Sequence, residues 1–200
     1  MAVSTNQQAL RLARRRQGAT TRDFAAAGIH RQVLTRLVAS GQLERVSRGI
    51  YRLPSRSITE HHSLTVVAAA VPHGTITLLS ALQFHQIGTQ LPSQVWIALD
   101  RRARRPALKY PPLRIVRYSG AALTEGIETH RIEGQAVRIY SAAKTIADCF
   151  KYRNKIGLEV ALEALREGWR SRRFTLNALD RYALCRVQRV MRPYIEALVA

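Results

Sequence analysis

Apolar residues at helical spacing predict two short helices at the start of the chain. The first runs from about Thr5 to Arg16. The second is expected to begin at Thr21, because Thr20 and Asp23 form a capping-box pattern in which each satisfies backbone groups of the other. Gly28 can adopt the left-handed conformation that ends a helix, so this second helix is short.

A third helix is predicted from about His30 to Ser40. Its residues Leu34, Leu37 and Val38 fall within a narrow arc at 100° per residue, so this side should pack inward. The remaining positions carry side chains that suit base edges in a DNA major groove. These positions are Arg31, Gln32, Thr35 and Arg36.

Two strands follow this helix, from Leu43 to Val46 and from Ile50 to Leu53. The turn between them contains Gly49, which supplies the positive φ of a tight hairpin. Arginines lie on or beside this hairpin, and their forked donors match phosphate oxygens. They are Arg45, Arg48 and Arg52.

A short helix, a glycine turn, a second helix and a basic hairpin are the parts of a winged helix-turn-helix, which predicts DNA binding. The alternative is an ordinary small helical unit with a solvated basic face. The residues predicted to contact DNA are Thr20, Thr21, Arg31, Gln32, Thr35, Arg36, Arg45, Arg48 and Arg52.

The rest of the chain predicts a mixed domain, so the fold class is α+β. We expect residues 1–57 to form the winged helix-turn-helix, residues 54–58 a linker, and residues 58–200 an α/β domain that ends in helices. Strands are predicted over 94–99, 113–118, 128–132 and 135–140. Helices are predicted over 59–71, 80–87, 141–153, 156–169, 175–185 and 187–199, with a break at Asn154 and an interruption at Pro193.

The net charge of +19 favours a polyanionic partner, and its long-range attraction makes binding sensitive to salt. The arginine run from Arg101 to Arg105 leaves three interpretations open: a solvated loop, a second phosphate contact or a patch for a partner. Cys149 and Cys185 have no metal-site spacing and fit reduced core residues. No apolar run approaches the length of a membrane span, so we expect a cytoplasmic protein.

The sequence does not support catalysis, and we expect no enzyme, metal or cofactor. Ser141 and Lys144 have the S-x-x-K spacing of serine acyl enzymes, but the companion motifs are absent and Ser141 fits a helix cap. No Asp or Glu has Lys two positions later, and the histidines lack H-E-x-x-H spacing. An enzyme that processes DNA through an unrecognised site remains a third, weaker interpretation.

Two stretches of the chain resemble AbiEi family antitoxins of type IV toxin–antitoxin, or abortive-infection, systems. The first is the predicted winged helix, including the runs 41–43 and 48–51. The second is the longer and more specific run from Tyr140 to Leu158, with 80–82 and His85 before it. One departure is Gln86, where relatives often have glycine after the histidine.

The resemblance implies a bacterial repressor that binds operator repeats in double-stranded DNA and counters a nucleotidyltransferase-like toxin, functionally if not by contact. The run from 140 to 158 then suggests Lys144, Asp148 and Arg153 as residues of the antitoxin function. The first two could equally form an ordinary i,i+4 ion pair. The alternative function is a free-standing winged-helix regulator whose second domain binds a ligand or partner.

Overall fold

The computed structural model describes residues 4–16, 18–54, 59–183 and 185–199, without the side chains of residues 185, 186 and 199. The chain forms two compact units. The first comprises Met1–Gly74, Arg104–Leu113 and Thr129–Val137, and the second comprises Thr75–Ala103, Arg114–Glu128 and Arg138–Ala200. The predicted linker lies outside the described residues except at Pro54, and the predicted boundary at residues 57 and 58 does so entirely.

The first unit begins with the predicted helices and wing. Its elements are α1 (Thr5–Arg15), β1 (Ala19–Thr20), α2 (Thr21–Ala26), α3 (Arg31–Ala39), β2 (Glu44–Ser47), β3 (Ile50–Arg52) and α4 (His62–Ala70). The strands form an antiparallel sheet in the order β1-β3-β2. The sequence did not predict β1, since two residues are too few for an alternating pattern.

The core of this unit forms where the helices meet the wing. Phe24 of α2 meets Tyr51 of β3 edge to face, with their ring centroids 5.9 Å apart. Leu34 and Leu37 of α3 are buried in the same cluster. Packing of α3 against α1 and α2 in this cluster therefore fixes which side of the helix faces solvent.

The remaining elements extend to residue 199. They are β4 (Thr75–Ile76), α5 (Leu78–Phe84), β5 (Val95–Asp100), β6 (Leu113–Tyr118), α6 (Ala121–Thr124), β7 (Ile127–Ile132), β8 (Gln135–Tyr140), α7 (Ala142–Lys151), α8 (Arg153–Ile156), α9 (Leu158–Arg170), α10 (Leu176–Tyr182) and α11 (Cys185–Val199). The strand order is β6-β5-β4-β8-β7, with β4 antiparallel to β5 and parallel to β8. The α+β prediction is confirmed, with helices at the end of the chain.

Helix α7 supplies the centre of the second core. Ser141 caps it by accepting a hydrogen bond from the amide of Lys144, as its sequence position predicted. All residues from Ala142 to Phe150 are buried. Apolar side chains of α5, α9, α10 and α11 belong to the same cluster.

Three predicted boundaries in the helical part were wrong. Asn154 lies within α8, and the helical path breaks on either side of it, at Tyr152 and at Gly157, whose φ of +96° favours glycine. The predicted interruption at Pro193 is absent, since Pro193 lies inside the continuous helix α11. A proline removes one backbone hydrogen bond, and the buried residues Val187 and Met191 hold the helix against the core. Helix α4 starts at His62, three residues later than predicted.

The turn between β7 and β8, which belongs to the first unit, carries a buried carboxylate. The Glu133 side chain is 1% exposed and accepts hydrogen bonds from the Thr59 amide at 2.9 Å and the Thr59 hydroxyl at 2.7 Å. The Nδ1 atom of His62 lies 2.8 Å away. Burial raises the pKa of Glu133, but the hydrogen bonds from His62 and Thr59 outweigh it and leave the pKa lowered.

We expect the substitution Glu133→Gln to lower the free energy of unfolding by about 1 to 3 kcal/mol at neutral pH, since it weakens hydrogen bonds to a buried charge. A folded-state pKa below its usual value means that the carboxylate stabilises fully above that value of 4.5. The contribution is lost as the pH falls through the folded pKa. Thermal unfolding measured from pH 7 to pH 3 should therefore show the difference between wild type and variant narrowing below about pH 4.5.

The control for this measurement is Glu60→Gln, because the Glu60 side chain is 72% exposed. This variant should unfold like the wild type at every pH. Equal stability of Glu133→Gln and wild type at pH 7 would contradict a stabilising role for the buried carboxylate.

Candidate functional site

Helix α3 has one buried and one exposed side, as the sequence predicted. Val33, Leu34 and Leu37 are buried, whereas Val38 is only partly so. His30 caps the helix by accepting a hydrogen bond from the Gln32 amide. The four residues predicted to meet DNA are all exposed on this helix: Arg31, Gln32, Thr35 and Arg36.

The two threonines at the start of α2 are engaged within the protein. The Thr20 hydroxyl accepts from the amide of Asp23, whose carboxylate accepts from the amide of Thr20, completing the predicted capping box. Thr21 donates to the carbonyl of Gly49, from its amide at 2.8 Å and its hydroxyl at 3.2 Å. These contacts tie the first turn of α2 to the turn of the wing.

The capping box depends on the negative charge of Asp23. Burial raises the pKa of Asp23, but hydrogen bonds from Thr20 and the nearby Arg16 guanidinium outweigh it and leave the pKa lowered. Arg16 forms an ion pair with the same carboxylate. The C-terminal residue of the predicted first helix is thus used to hold α2, while Arg14 and Arg15 remain exposed.

The three wing arginines are not equivalent. Arg45 on β2 and Arg48 in the turn are exposed. Arg52 on β3 lies opposite Glu44 in the strand register and forms an ion pair with it, at 2.7 Å between Nη2 and Oε2. Its side chain is only 13% exposed. The structure therefore presents two of the three predicted wing arginines to solvent.

One exposed arginine of the same unit was not among the residues predicted to contact DNA. Arg22 follows Thr21 in α2 and is exposed. Its position was readable from the helical period, because Phe24 marks the buried side of α2 and Arg22 lies on the other side. Arg22 of α2, Arg36 of α3 and Arg48 of the turn between β2 and β3 are all exposed and belong to one compact unit.

The predicted antitoxin residues lie in the second unit. Lys144 and Asp148 are both 3% exposed and form an ion pair at 2.5 Å between Nζ and Oδ2. The Lys144 ammonium also lies over two aromatic rings, 5.1 Å from the centroid of Tyr118 and 4.9 Å from that of Tyr140. This is a buried cluster rather than a pair on a solvated helix face.

Burial shifts the pKa values of both members of this pair. It lowers the pKa of Lys144 and raises the pKa of Asp148, and in each case the charge of the partner offsets part of the change. A buried pair stabilises only while both partners are present, so removing one leaves an uncompensated charge. The small stabilisation that an exposed i,i+4 ion pair gives a helix therefore does not describe this buried pair.

Arg153 is not part of this pair. It starts α8 and donates from Nη1 to the carbonyl of Phe150 at 2.9 Å. Within the described residues no hydrogen bond or ion pair joins it to Lys144 or Asp148. The structure thus brings together two of the three residues suggested by the resemblance.

Cys149 lies in the buried stretch of α7. Cys149 is buried without a disulfide, and burial raises the pKa of its thiol. The part of the chain that is described holds no group of three His, Cys, Asp or Glu side chains that could bind a metal ion. Over the same residues, no helix has the length and apolar character that a bilayer crossing requires.

The exposed side of α3 and the attached wing coincide with a family match. Residues 7–54 match the AbiEi_4 family, described as "Transcriptional regulator, AbiEi antitoxin". The match runs from α1 through the end of the wing and covers about a quarter of the chain. It confirms the resemblance to AbiEi antitoxins over these residues. The comparison with curated proteins found no match.

Proposed function

We propose that this protein is a DNA-binding transcriptional repressor that recognises its own operator through the winged helix. The observation that carries the proposal is the exposed polar side of α3, held by a buried apolar side and joined to a basic wing. The family match covers these same elements. Autoregulation of the promoter is inferred from the resemblance.

Helix α3 is proposed to specify the DNA sequence from the major groove. Arginine can donate two hydrogen bonds to guanine O6 and N7, and glutamine can pair with adenine N6 and N7. Arg31, Gln32 and Arg36 supply these groups from one exposed helix surface. Thr35 contributes a methyl and a hydroxyl group, although its hydroxyl donates within the helix to the carbonyl of Arg31.

The wing is proposed to bind phosphate without reading sequence. Arg45 and Arg48 are exposed and carry charge on either side of the turn. The contacts of Thr21 with Gly49 hold that turn in place before DNA arrives. Because Arg52 is paired with Glu44, we assign it to supporting the hairpin rather than to phosphate.

The second part of the proposal is an antitoxin role against a nucleotidyltransferase-like toxin. It is supported by the likeness of residues 140–158 to AbiEi antitoxins and by the family description at residues 7–54. These 140–158 residues include the buried α7 with its Lys144 cluster. The alternative is a regulator whose second unit binds a ligand or partner and has no toxin.

Arg36→Ala should weaken binding to the cognate operator by about 1 to 3 kcal/mol and change binding to random DNA little, as expected for a base contact. Fluorescence anisotropy with both DNAs at one salt concentration measures this. Arg166→Ala removes the same charge from an exposed position on α9 and serves as the control. Equal losses on operator and random DNA would assign Arg36 to phosphate instead.

Arg48→Ala should weaken binding to all DNA similarly and make the slope of log affinity against log salt shallower by about 0.9, the value for one lost phosphate contact. Titrations over several salt concentrations give the slope. Arg52→Ala is the matched comparison within the wing, and its slope should change less because Glu44 already neutralises that charge. A wild-type slope in Arg48→Ala would exclude the wing tip from the interface.

Co-expression with the product of an adjacent nucleotidyltransferase-like gene tests the antitoxin role. The wild-type chain should restore growth, and the Arg36→Ala variant should do so equally, since the residues suggested for the antidote lie in the second unit. Toxin expression is held on an independent promoter to separate repression from antidote activity. No rescue by the wild type would contradict the antitoxin role, while loss of rescue in Arg36→Ala would contradict the separation of the two functions.

A further inference from the structure

The lysines of this protein are concentrated in one place. Of 32 basic residues only four are lysine, and three of those four lie on or just after α7, beside three tyrosines. Lys151 lies 5.3 Å from the Tyr118 centroid and 5.5 Å from that of Tyr152, and Lys155 lies 5.5 Å from the Tyr152 centroid. Elsewhere in the chain arginine is the usual cation. A lysine ammonium is a compact point charge, which suits a confined site better than the broad guanidinium.

A small cavity of about 50 Å³ adjoins this cluster. Lys144, Asp148 and Lys151 of α7 contribute to its wall, together with Glu125, Arg181 and Tyr182. Among the described residues, the wall therefore includes three cationic side chains and two carboxylates. Lys144 matches the charge of Asp148 in the 2.5 Å ion pair. In the described part of the wall, Lys151 and Arg181 are then opposed by one further carboxylate, that of Glu125.

The Lys144 ammonium has donors left over after this pairing. It carries three N–H groups, and among the described residues its hydrogen bond goes to Asp148. The rings of Tyr118 and Tyr140 offer π faces rather than strong acceptors. A buried ammonium beside a cavity is thus able to donate to an acceptor placed within it.

Gly126 shows that the wall of the cavity is closely built. Its φ is +70°, and a Cβ atom there would lie 2.8 Å from Cβ of Lys144 and 3.1 Å from Cζ of Tyr182. The carbonyl of Gly126 accepts a hydrogen bond of 2.7 Å from the Ser141 amide, just before α7. The glycine therefore lets the chain after α6 pass close against the Lys144 stem.

We propose that this cavity binds a single phosphate group, either as inorganic phosphate or as the exposed phosphate of a larger ligand. Lys144 would donate from the inner wall, while Lys151 and Arg181 would hold the anion from the exposed side, as charge-assisted hydrogen bonds favour. The volume is far below the roughly 300 to 1,000 Å³ of pockets for whole small molecules, so only one such group enters.

This proposal goes beyond DNA binding and does not depend on it, because every residue involved belongs to the second unit. It assigns a ligand site to a surface distinct from α3 and the wing. The shared chemistry is the phosphate group, and the source of that group is an outcome of the test.

The test is titration of the full-length protein with inorganic phosphate, pyrophosphate, a nucleoside monophosphate and acetate, at constant ionic strength in chloride. Binding is followed by calorimetry and by ¹⁵N amide shifts, which locate the anion on a chain of net charge +19. We expect saturable binding of one phosphate, with shifts at Gly126 and Lys151, and no comparable binding of acetate. Tighter binding of pyrophosphate or the nucleotide would identify a larger ligand as the source.

Three variants distinguish the cavity from general attraction by positive charge. Lys151→Met and Arg181→Met should each weaken phosphate binding about tenfold, and Glu125→Gln should strengthen it by removing the opposing carboxylate. Arg166→Met removes the same charge from an exposed position outside the cavity and should leave binding unchanged.

Several results would overturn the proposal. They are non-saturable phosphate binding, amide shifts confined to the winged helix, and an equal loss in Arg166→Met and Lys151→Met. Retention of wild-type affinity in both Lys151→Met and Arg181→Met would do the same. Because these side chains are exposed, thermal melting should confirm that each variant folds.

Discussion

The burial of α7 is the constraint on which the second unit depends. A helix that is enclosed from Ala142 to Phe150 cannot leave a charge exposed to water. Apart from the Cys149 thiol, the ionisable side chains in that stretch are Lys144 and Asp148. They lie one helical turn apart and neutralise each other. The tyrosine rings of β6 and β8 complete the enclosure. Loss of either charge alone would leave its partner unmatched in a packed interior.

The first unit differs, because its basic residues must remain exposed to bind the proposed DNA partner. Apolar packing by Phe24, Leu34 and Leu37 holds α2 and α3 in the core of the unit. The exposed sides of these helices carry arginines. The capping box of Thr20 and the contact of Thr21 with Gly49 add directional bonds that fix the wing to α2. Charge is thus exposed where a polyanion is proposed to bind and compensated where the core is packed.

Local signals in the sequence predicted much of this fold. The Thr20 and Ser141 caps were found because a cap needs only residues three positions apart. Strand β6 was predicted with its observed bounds, from Leu113 to Tyr118. Strand β1 was missed because its two residues form no pattern and exist as a strand only by pairing with β3.

The candidate sites were predicted less completely, since their geometry depends on distant residues. The pairing of Arg52 with Glu44 follows from strand register, and a spacing of eight residues does not reveal it. Likewise, Lys144 and Asp148 have the spacing of an ordinary surface pair, and only the surrounding tyrosines and helices make them buried. The exposed residues of α3 were easier to predict, because the apolar residues on one side of a helix determine which residues lie on the other.

The scarcity of lysine has a practical consequence for studying this protein. Reagents that acylate primary amines meet only four lysine side chains, and three of them belong to the tyrosine-lined cluster. Lys144 is shielded by burial, whereas Lys109, Lys151 and Lys155 are exposed. Mass spectrometry of labelled chains would therefore report opening of the α7 core through Lys144 alone, with the other lysines as internal standards and the arginines of the winged helix left unmodified.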